Sequence, residues 1–530
     1  MVPEAAVVVY GDGTIQDILV TGDVRAQVRE LGPVSKTVPV AAPGFIMPGL
    51  VDCHIHAPQY AFTGTGLDLP LMGPHGWLET YTFPVERRMV MDMAHAVRVY
   101  SAVVKRTLRS GTTTAAYFGT LHLLPTKALV VILQHYGQRA LVGKVCMDRH
   151  SPENYCQPLE ENLRETQEFV AFCPPTMPTA PGAAALVQPC ITPRFVPACS
   201  SELQRGLASL AEEHGGLHIQ THVAESIDEV AFCRLLDERE PTCPGYGRDA
   251  SILDAHGLLT SKTILAHGCH LSPAEITLLA ARSSSVAHCP LSNAYFADAV
   301  LPVRRLLEAG VRVGLGSDVA GGYEPSMLAA IRACVISSKF LQAGVDHYDH
   351  IGGPTTSGPG GPVTSTGGPS PGALEGRNRS SPPASTHGEP PLKRGRPSGG
   401  GVGGAANNLR EPSEVGFKEA FFLATAGGAR ALAMEDTVGS LEVGQAFDAL
   451  VVQPGRSSQR SGLDLFPGDS LETAVEKFLH CGDDRDISQV YVQGRQVLCD
   501  GAFDCDDIQV DAVLQALSAR TGSEGKVEPN

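Results

Sequence analysis

The stretch Pro48-Gly49-Leu50-Val51-Asp52-Cys53-His54-Ile55-His56 decides the fold. A Pro-Gly turn leads into a short apolar run that ends in two histidines. In an extended strand, side chains at i and i+2 project to the same face. His54 and His56 therefore stand side by side, and Ile55 faces the other way. Two imidazoles on one face at the end of a buried strand make half of a metal site. The chain carries 18 His, so a pair at this spacing also arises readily by chance. The residues around it decide between these readings.

Strands and helices alternate outward from this run. Val7–Tyr10 and Ile18–Thr21 read as strands around the turn Gly11-Asp12-Gly13, and Pro48–His56 as the next strand. Ala57–Glu86 reads as irregular. Met93–Arg109 has helical apolar spacing and stops at Ser110-Gly111, and Thr112–Phe118 returns to a strand. Further strands are expected at Ala140–Met147, Leu217–Val223, Thr263–Ala266, Val286–His288 and Val311–Leu315, and Ala185–Thr192 is another apolar run. Helices are expected at Leu159–Phe172, Glu202–His214, Ile227–Leu236, Pro273–Arg282, Val303–Ala309 and Ser326–Phe340. Repeated strand–helix units indicate a parallel sheet, and their number points to a closed barrel, with an open doubly wound sheet as the alternative.

The Gly-, Pro-, Ser- and Thr-rich stretch 343–412 breaks this pattern and reads as a disordered insertion. Its basic run 391–397 fits a nuclear-import or phosphate-binding patch less well than a solvated basic spot. Helix Phe417–Met434, strand Asp448–Val452 and a hairpin around Gly494 follow. The expected organisation is 1–47 as part of a small β domain, 48–342 and 413–436 as the barrel, and 437–530 as the rest of the β domain with a final helix and tail.

Composition narrows the function. A chain of 530 residues with 43% hydrophobic and 18% charged residues is an ordinary globular protein with room for more than one domain. A net charge of −16 and a pI near 5.6 argue against a general binder of nucleic acid or membrane surfaces. The 14 Cys lack any Cys-x-x-Cys pair, which suggests reduced thiols and the cytosol. Met1–Asp12 lacks the pattern of a secretory signal. No apolar run reaches the roughly 20 residues of a membrane span.

Reactive side chains recur at the strand ends, where a barrel collects them. His222 ends one strand, with Glu225 just beyond it. His267 ends another, and Asp318 follows Val311–Gly316. Each has a bland reading by itself, as a hydrogen-bonded His or a turn-capping Asp. Together with His54 and His56 they are poorly explained by chance. Three imidazoles and one carboxylate suit Zn²⁺ without identifying the metal by themselves. A catalytic zinc also holds a water whose pKa it lowers to about 7. Glu225 would then be free to move protons, and Asp318 could bind metal and accept a proton.

These residues resemble the amidohydrolase superfamily. His56-Ala57-Pro58-Gln59, Tyr81-Thr82-Phe83-Pro84, Gly143-Lys144-Val145-Cys146-Met147-Asp148, Thr192-Pro193-Arg194-Phe195, Ala266-His267-Gly268-Cys269, Ala287-His288-Cys289-Pro290 and Asp318-Val319-Ala320-Gly321-Gly322 resemble its guanine deaminase family. So do Lys477-Phe478-Leu479 and Gly482-Asp483-Asp484-Arg485. The resemblance implies an α/β fold: a distorted (β/α)8 TIM-like barrel beside a small β-sandwich formed from both chain ends. It implies one Zn²⁺ per subunit on His54, His56, His222 and Asp318, with His267 orienting the metal-bound water. Glu225, His267 and Asp318 would be catalytic. Substrate contacts would come from His56, Ala57, Pro58, Gln59, Arg194, Phe195, His222, Glu225 and Asp318. The implied reaction is guanine plus water to xanthine plus ammonia, in a cytosolic homodimer. A related aminohydrolase of another purine, pterin or triazine-like ring is one alternative, and a non-catalytic scaffold is the other. The His-x-Glu and Pro-Cys-x-x-Cys signature of the other zinc deaminases is absent.

Overall fold

Gly49 divides the opening stretch in two. The structure, a computed structural model, describes residues 5–20, 23–31, 34–173, 185–239, 247–297, 299–343, 414–454 and 462–521. Strands β1 (Ala6–Val9) and β2 (Ile15–Leu19) pair as an antiparallel hairpin. β3 (Phe45–Pro48) ends just before Gly49, and β4 (Leu50–His56) begins just after it. The single strand expected from Pro48 to His56 is thus two strands in two different sheets. A Cβ on Gly49 would lie 2.0 Å from Thr113 Oγ1, so no larger residue fits where the chain crosses between them.

The barrel follows as expected. β4, β5 (Thr112–Phe118) and β6 (Arg139–Gly143) run parallel. A two-residue strand, β7 (Val145–Cys146), pairs beside β8 (Val187–Pro193). β9 (His218–Val223), β10 (Thr263–His267), β11 (Ser285–His288) and β12 (Arg312–Leu315) complete the series. Backbone bonds from Asp318 N to His54 O (2.8 Å) and from His56 N to Val319 O (3.1 Å) join the last strand's exit to β4. Every residue of β4 and β5 is buried, as expected of parallel strands covered on both faces.

The barrel interior is layered. Val51, Cys53, Ala116, Leu141, Cys190, Ile264 and Ala287 pack together, with Ala429, Ala431 and Leu432 beneath them. Leu50 and Ile55 belong to the outer core that packs against the helices. β4 carries an extra residue between Asp52 and Ile55 relative to β5. This bulge shifts the inward phase from Val51 and Cys53 to His54 and His56.

Local chemistry explains most helix ends. Asp92 caps Met93–Arg109, which stops at Ser110 before Gly111 at φ +87°. Ser272 and Glu275 form a capping box on Pro273–Arg282. Further expectations need correction. Ala140–Met147 is two strands, β6 and β7, interrupted at Lys144. Phe417–Met434 is two helices, Phe417–Leu423 and Ala426–Ala431, separated by Thr425 in a non-helical conformation (φ −134°, ψ −104°). The irregular segment Ala57–Glu86 contains a 3-10 helix, Ala57–Phe62, and the start of the α-helix Phe83–Met91. An unforeseen helix, Leu123–Tyr136, joins β5 to β6. It is apolar nearly all round because the C-terminal helix Val510–Thr521 packs against it, so it lacks amphipathic spacing.

Both chain ends build the second sheet. β13 (Ala449–Val452), β14 (Ile487–Val492), β15 (Arg495–Cys499) and β16 (Ala502–Phe503) join β3 in the antiparallel order β16-β15-β14-β13-β3. The β1–β2 hairpin packs against it through Ile15, Phe447, Ala449, Val451 and Tyr491. This is the expected small sandwich. The insertion expected at 343–412, with its basic run, lies outside the described residues except for Ala343. No described helix is long and apolar enough to cross a membrane.

Arg139 at the start of β6 pins the barrel to this sheet. Its guanidinium donates to Asp448 through Nε (3.0 Å) and Nη2 (3.2 Å), and both side chains are buried. Asp448 also accepts from Gln493 N at 2.7 Å. Asp448→Ala leaves that cation buried and unpaired, and should destabilise the fold by about 3–5 kcal/mol. Denaturant unfolding checks this; a loss below about 1 kcal/mol would mean that the pair is dispensable.

Candidate active site

The barrel mouth brings together the strand-end residues singled out in the sequence. His54 and His56 leave β4, His222 leaves β9, His267 closes β10, and Asp318 lies three residues past β12. His54, His56, His267 and Asp318 are buried, and His222 is half-buried. His54 Nε2 lies 3.1 Å and His56 Nε2 3.5 Å from Asp318 Oδ1. His56 Nε2 and His222 Nε2 are 3.1 Å apart. His267 Nε2 is 3.8 Å from Asp318 Oδ2 and 3.6 Å from Glu225 Oε1. Ligand atoms of His54, His56 and His222 lie within 4.8 Å of one another, as do those of His54, His267 and Asp318. Distance alone therefore does not separate His267 from the other possible ligands.

The surroundings set the protonation of this group. The Arg194 carbonyl lies 2.6 Å from His222 Nδ1, and the Asn293 side-chain oxygen 3.0 Å from His267 Nδ1. Each oxygen accepts a proton at Nδ1, which leaves the Nε2 lone pair facing the site. Burial lowers the pKa of His54, and lowers those of His56 and His222 much further. Burial alone would raise Asp318, but His54 and His267 pull it below the ordinary carboxylate value. Burial raises Glu225, opposed by His267. The site thus sets imidazoles of His54, His56 and His222, whose charged forms burial disfavours, around a carboxylate held ionised, with a more proton-retentive carboxylate beside them.

Backbone strain accompanies the chemistry. Ala224, His267 and Asp318 adopt φ of +44°, +71° and +48°, a region that non-glycine residues seldom occupy. Asp249 Oδ2 accepts from Ala224 N, and Glu229 Oε2 from Glu225 N, each at 2.7 Å, which holds the turn carrying Glu225.

Above the histidines, a cavity is lined by His56, Gln59, Arg194, Phe195, His222, Glu225, His267 and Asp318, with Leu71, Met72, Trp77, Leu78 and Phe296 as apolar walls. Ala57 and Pro58 are buried in the first turn of the 3-10 helix that presents Gln59, and their side chains do not line it. His54 sits beneath. Sequence reasoning missed Glu86, which is fully buried in the helix Phe83–Met91. It accepts from Gln59, from Tyr155 and twice from Arg194. A Glu in a stretch read as irregular passes for a solvated charge, although the neighbouring Tyr81-Thr82-Phe83-Pro84 motif marks the right place.

The amidohydrolase family pattern matches residues 45–351 and 405–497. The guanine deaminase of Rattus norvegicus is 38% identical over 460 residues, covering 86% of this chain and 83% of its own. That of Dictyostelium discoideum is 36% identical over 453 residues, covering 86% and 82%. The crystal structure of guanine deaminase from C. acetobutylicum, with guanine bound in its active site, aligns at a TM-score of 0.70 and 28% identity over 93% of this chain and 95% of that one. This chain belongs to the amidohydrolase family, among its guanine deaminases.

Proposed function

We propose that this protein is a zinc-dependent guanine deaminase that converts guanine and water to xanthine and ammonia. One observation carries the reading. A cluster of imidazoles around Asp318 shares its cavity with Gln59, Arg194 and Phe195, a wall suited to a flat polar ring. Two features of the cluster fit a cation. The buried His54 Nε2 lies 3.1 Å from Asp318 Oδ1 without the alignment of a hydrogen bond, and the Nε2 atoms of His56 and His222 approach to 3.1 Å. His54, His56, His222 and Asp318 would hold one Zn²⁺ per subunit. When bound, zinc supplies a water nucleophile that ionises near neutral pH.

The chain's own residues do the remaining work. His267 orients the attacking water through Nε2. Asp318 takes up the proton that water sheds. Glu225, with a raised pKa, holds a proton at neutral pH more readily than an ordinary carboxyl and delivers it to the ring. Glu225 and Asp318 then protonate the departing amine. Arg194 and Gln59 hydrogen-bond the base edge, and Phe195 packs on its face. The described cysteines are all free, which supports a reducing compartment, the cytosol. The homodimer that the family resemblance implies is checked by light scattering.

Metal analysis coupled to a xanthine assay tests the proposal. Purified protein should contain zinc and form xanthine from guanine. A chelator should abolish turnover, and added zinc should restore it. Metal-loaded protein that ignores guanine but deaminates another purine, a pterin or a triazine would overturn the assignment. Glu225→Gln should lower kcat by about 10²–10⁴-fold with zinc retained; unchanged turnover would remove Glu225 from the mechanism. His54→Ala should lose most of the bound zinc, as read by elemental analysis.

A further inference from the structure

Glu86 is a buried carboxylate with every acceptor position spoken for. Oε1 accepts from Gln59 Nε2 (2.9 Å) and Arg194 Nη2 (3.3 Å). Oε2 accepts from Tyr155 Oη (2.7 Å) and Arg194 Nη1 (2.9 Å). An ionised carboxylate offers about four lone-pair positions, so none is left for a ligand. Glu86 therefore acts on a ligand only through Gln59 and Arg194.

Its effect on Gln59 has a definite sign. A side-chain amide can present either its C=O or its NH2, and the hydrogen-bond network selects which. Glu86, ion-paired with Arg194, accepts only, so the Gln59 NH2 must face it. The Gln59 carbonyl is turned the other way, where it accepts weakly from Ala320 N at 3.3 Å. Arg194 can only donate. Phe83 stacks on its guanidinium at 5.1 Å, and the bidentate bond to Glu86 fixes its plane. The polar wall of the cavity thus shows one acceptor, from Gln59, beside the remaining Arg194 donors. The complementary ligand edge is a lactam, N–H beside C=O. Guanine carries that edge at N1 and C6. A 6-aminopurine edge reverses it, with a ring-nitrogen acceptor beside an amino donor.

We propose that Glu86 is the positioning residue that sets the donor–acceptor polarity of the base-reading wall and so selects a lactam purine over its 6-amino counterpart. This inference rests on the guanine deaminase reading above and adds to it a residue that does not touch substrate. A site built around fixed hydrogen bonds rejects the mismatched ligand strongly, by about 10⁴–10⁵-fold at best. The rejection lasts only while Gln59 cannot turn over.

The test compares guanine with 2,6-diaminopurine. Both carry a 2-amino leaving group, and they differ at the edge in question. Wild-type holoenzyme should prefer guanine strongly in kcat/KM. Glu86→Gln introduces an amide whose own NH2 can face Gln59, which frees the Gln59 amide to flip. The guanine-to-diaminopurine ratio should fall by at least about tenfold, with zinc content unchanged. Glu86→Asp, which keeps the acceptor-only group, should retain more of the ratio than Glu86→Gln. Tyr155→Phe removes one donor to Oε2 and should shift the ratio the same way by about threefold. It decides the matter if Glu86→Gln does not fold. An active wild-type enzyme whose Glu86→Gln variant loses both activities equally, with the ratio intact, overturns this inference alone. Zinc-loaded wild-type protein inert towards guanine overturns the functional reading and this inference with it.

Discussion

The site depends on how Asp52 closes the barrel. This carboxylate is fully buried between the first barrel strand and the exit of the last. Its Oδ1 accepts from Ser317 N (3.0 Å) and His54 N (3.1 Å), and its Oδ2 from Ser317 Oγ (2.5 Å). Burial still pushes its pKa up to about 7 against those donors. The seam it fastens is the one that carries the candidate ligands. His54 and His56 stand on one side of it and Asp318 on the other, with the His54 carbonyl accepting from Asp318 N. Barrel closure and the geometry of the candidate metal site therefore rest on the same seam, and a shift in it would move the imidazoles relative to Asp318.

Burial does a second job here. In water an imidazole is partly protonated near neutrality, and a protonated ring offers no lone pair to a cation. Removing His54, His56 and His222 from water favours their neutral forms. Low-dielectric surroundings also strengthen the pull of Asp318 on anything positive. The small interior residues Cys53, Ala116 and Ala287 leave room for this cluster directly above them.

The pairing of His54 with His56, the strand ends at His222 and His267, and the stop of helix Met93–Arg109 at Ser110-Gly111 were legible in the sequence. They follow from local periodicity and hydrogen-bonding chemistry that single segments carry. The bulge in β4 was not legible, because a bulge is defined against the neighbouring strand and not within its own. Helix Leu123–Tyr136 was hidden for a related reason: burial on all sides erases the polar stripe that marks a surface helix. Glu86 escaped because its meaning lies in partners up to 108 positions away. A charged residue in an unassigned segment gives no sign that it is buried.

Two residues join the candidate metal ligands to the polar wall of the cavity. The Arg194 carbonyl fixes the tautomer of His222, while its guanidinium is held by Glu86. The Gln59 amide gives its NH2 to Glu86 and its oxygen to Ala320, two residues beyond Asp318. Neither half can move freely without disturbing the other. The orientation of the wall is thereby tied to the position of the imidazoles, and for the proposed reaction at a single ring carbon small displacements are costly. A flexible lysine in place of Arg194 would keep the positive charge but lose the planar fork, and with it the fixed angle between the wall and the candidate metal ligands.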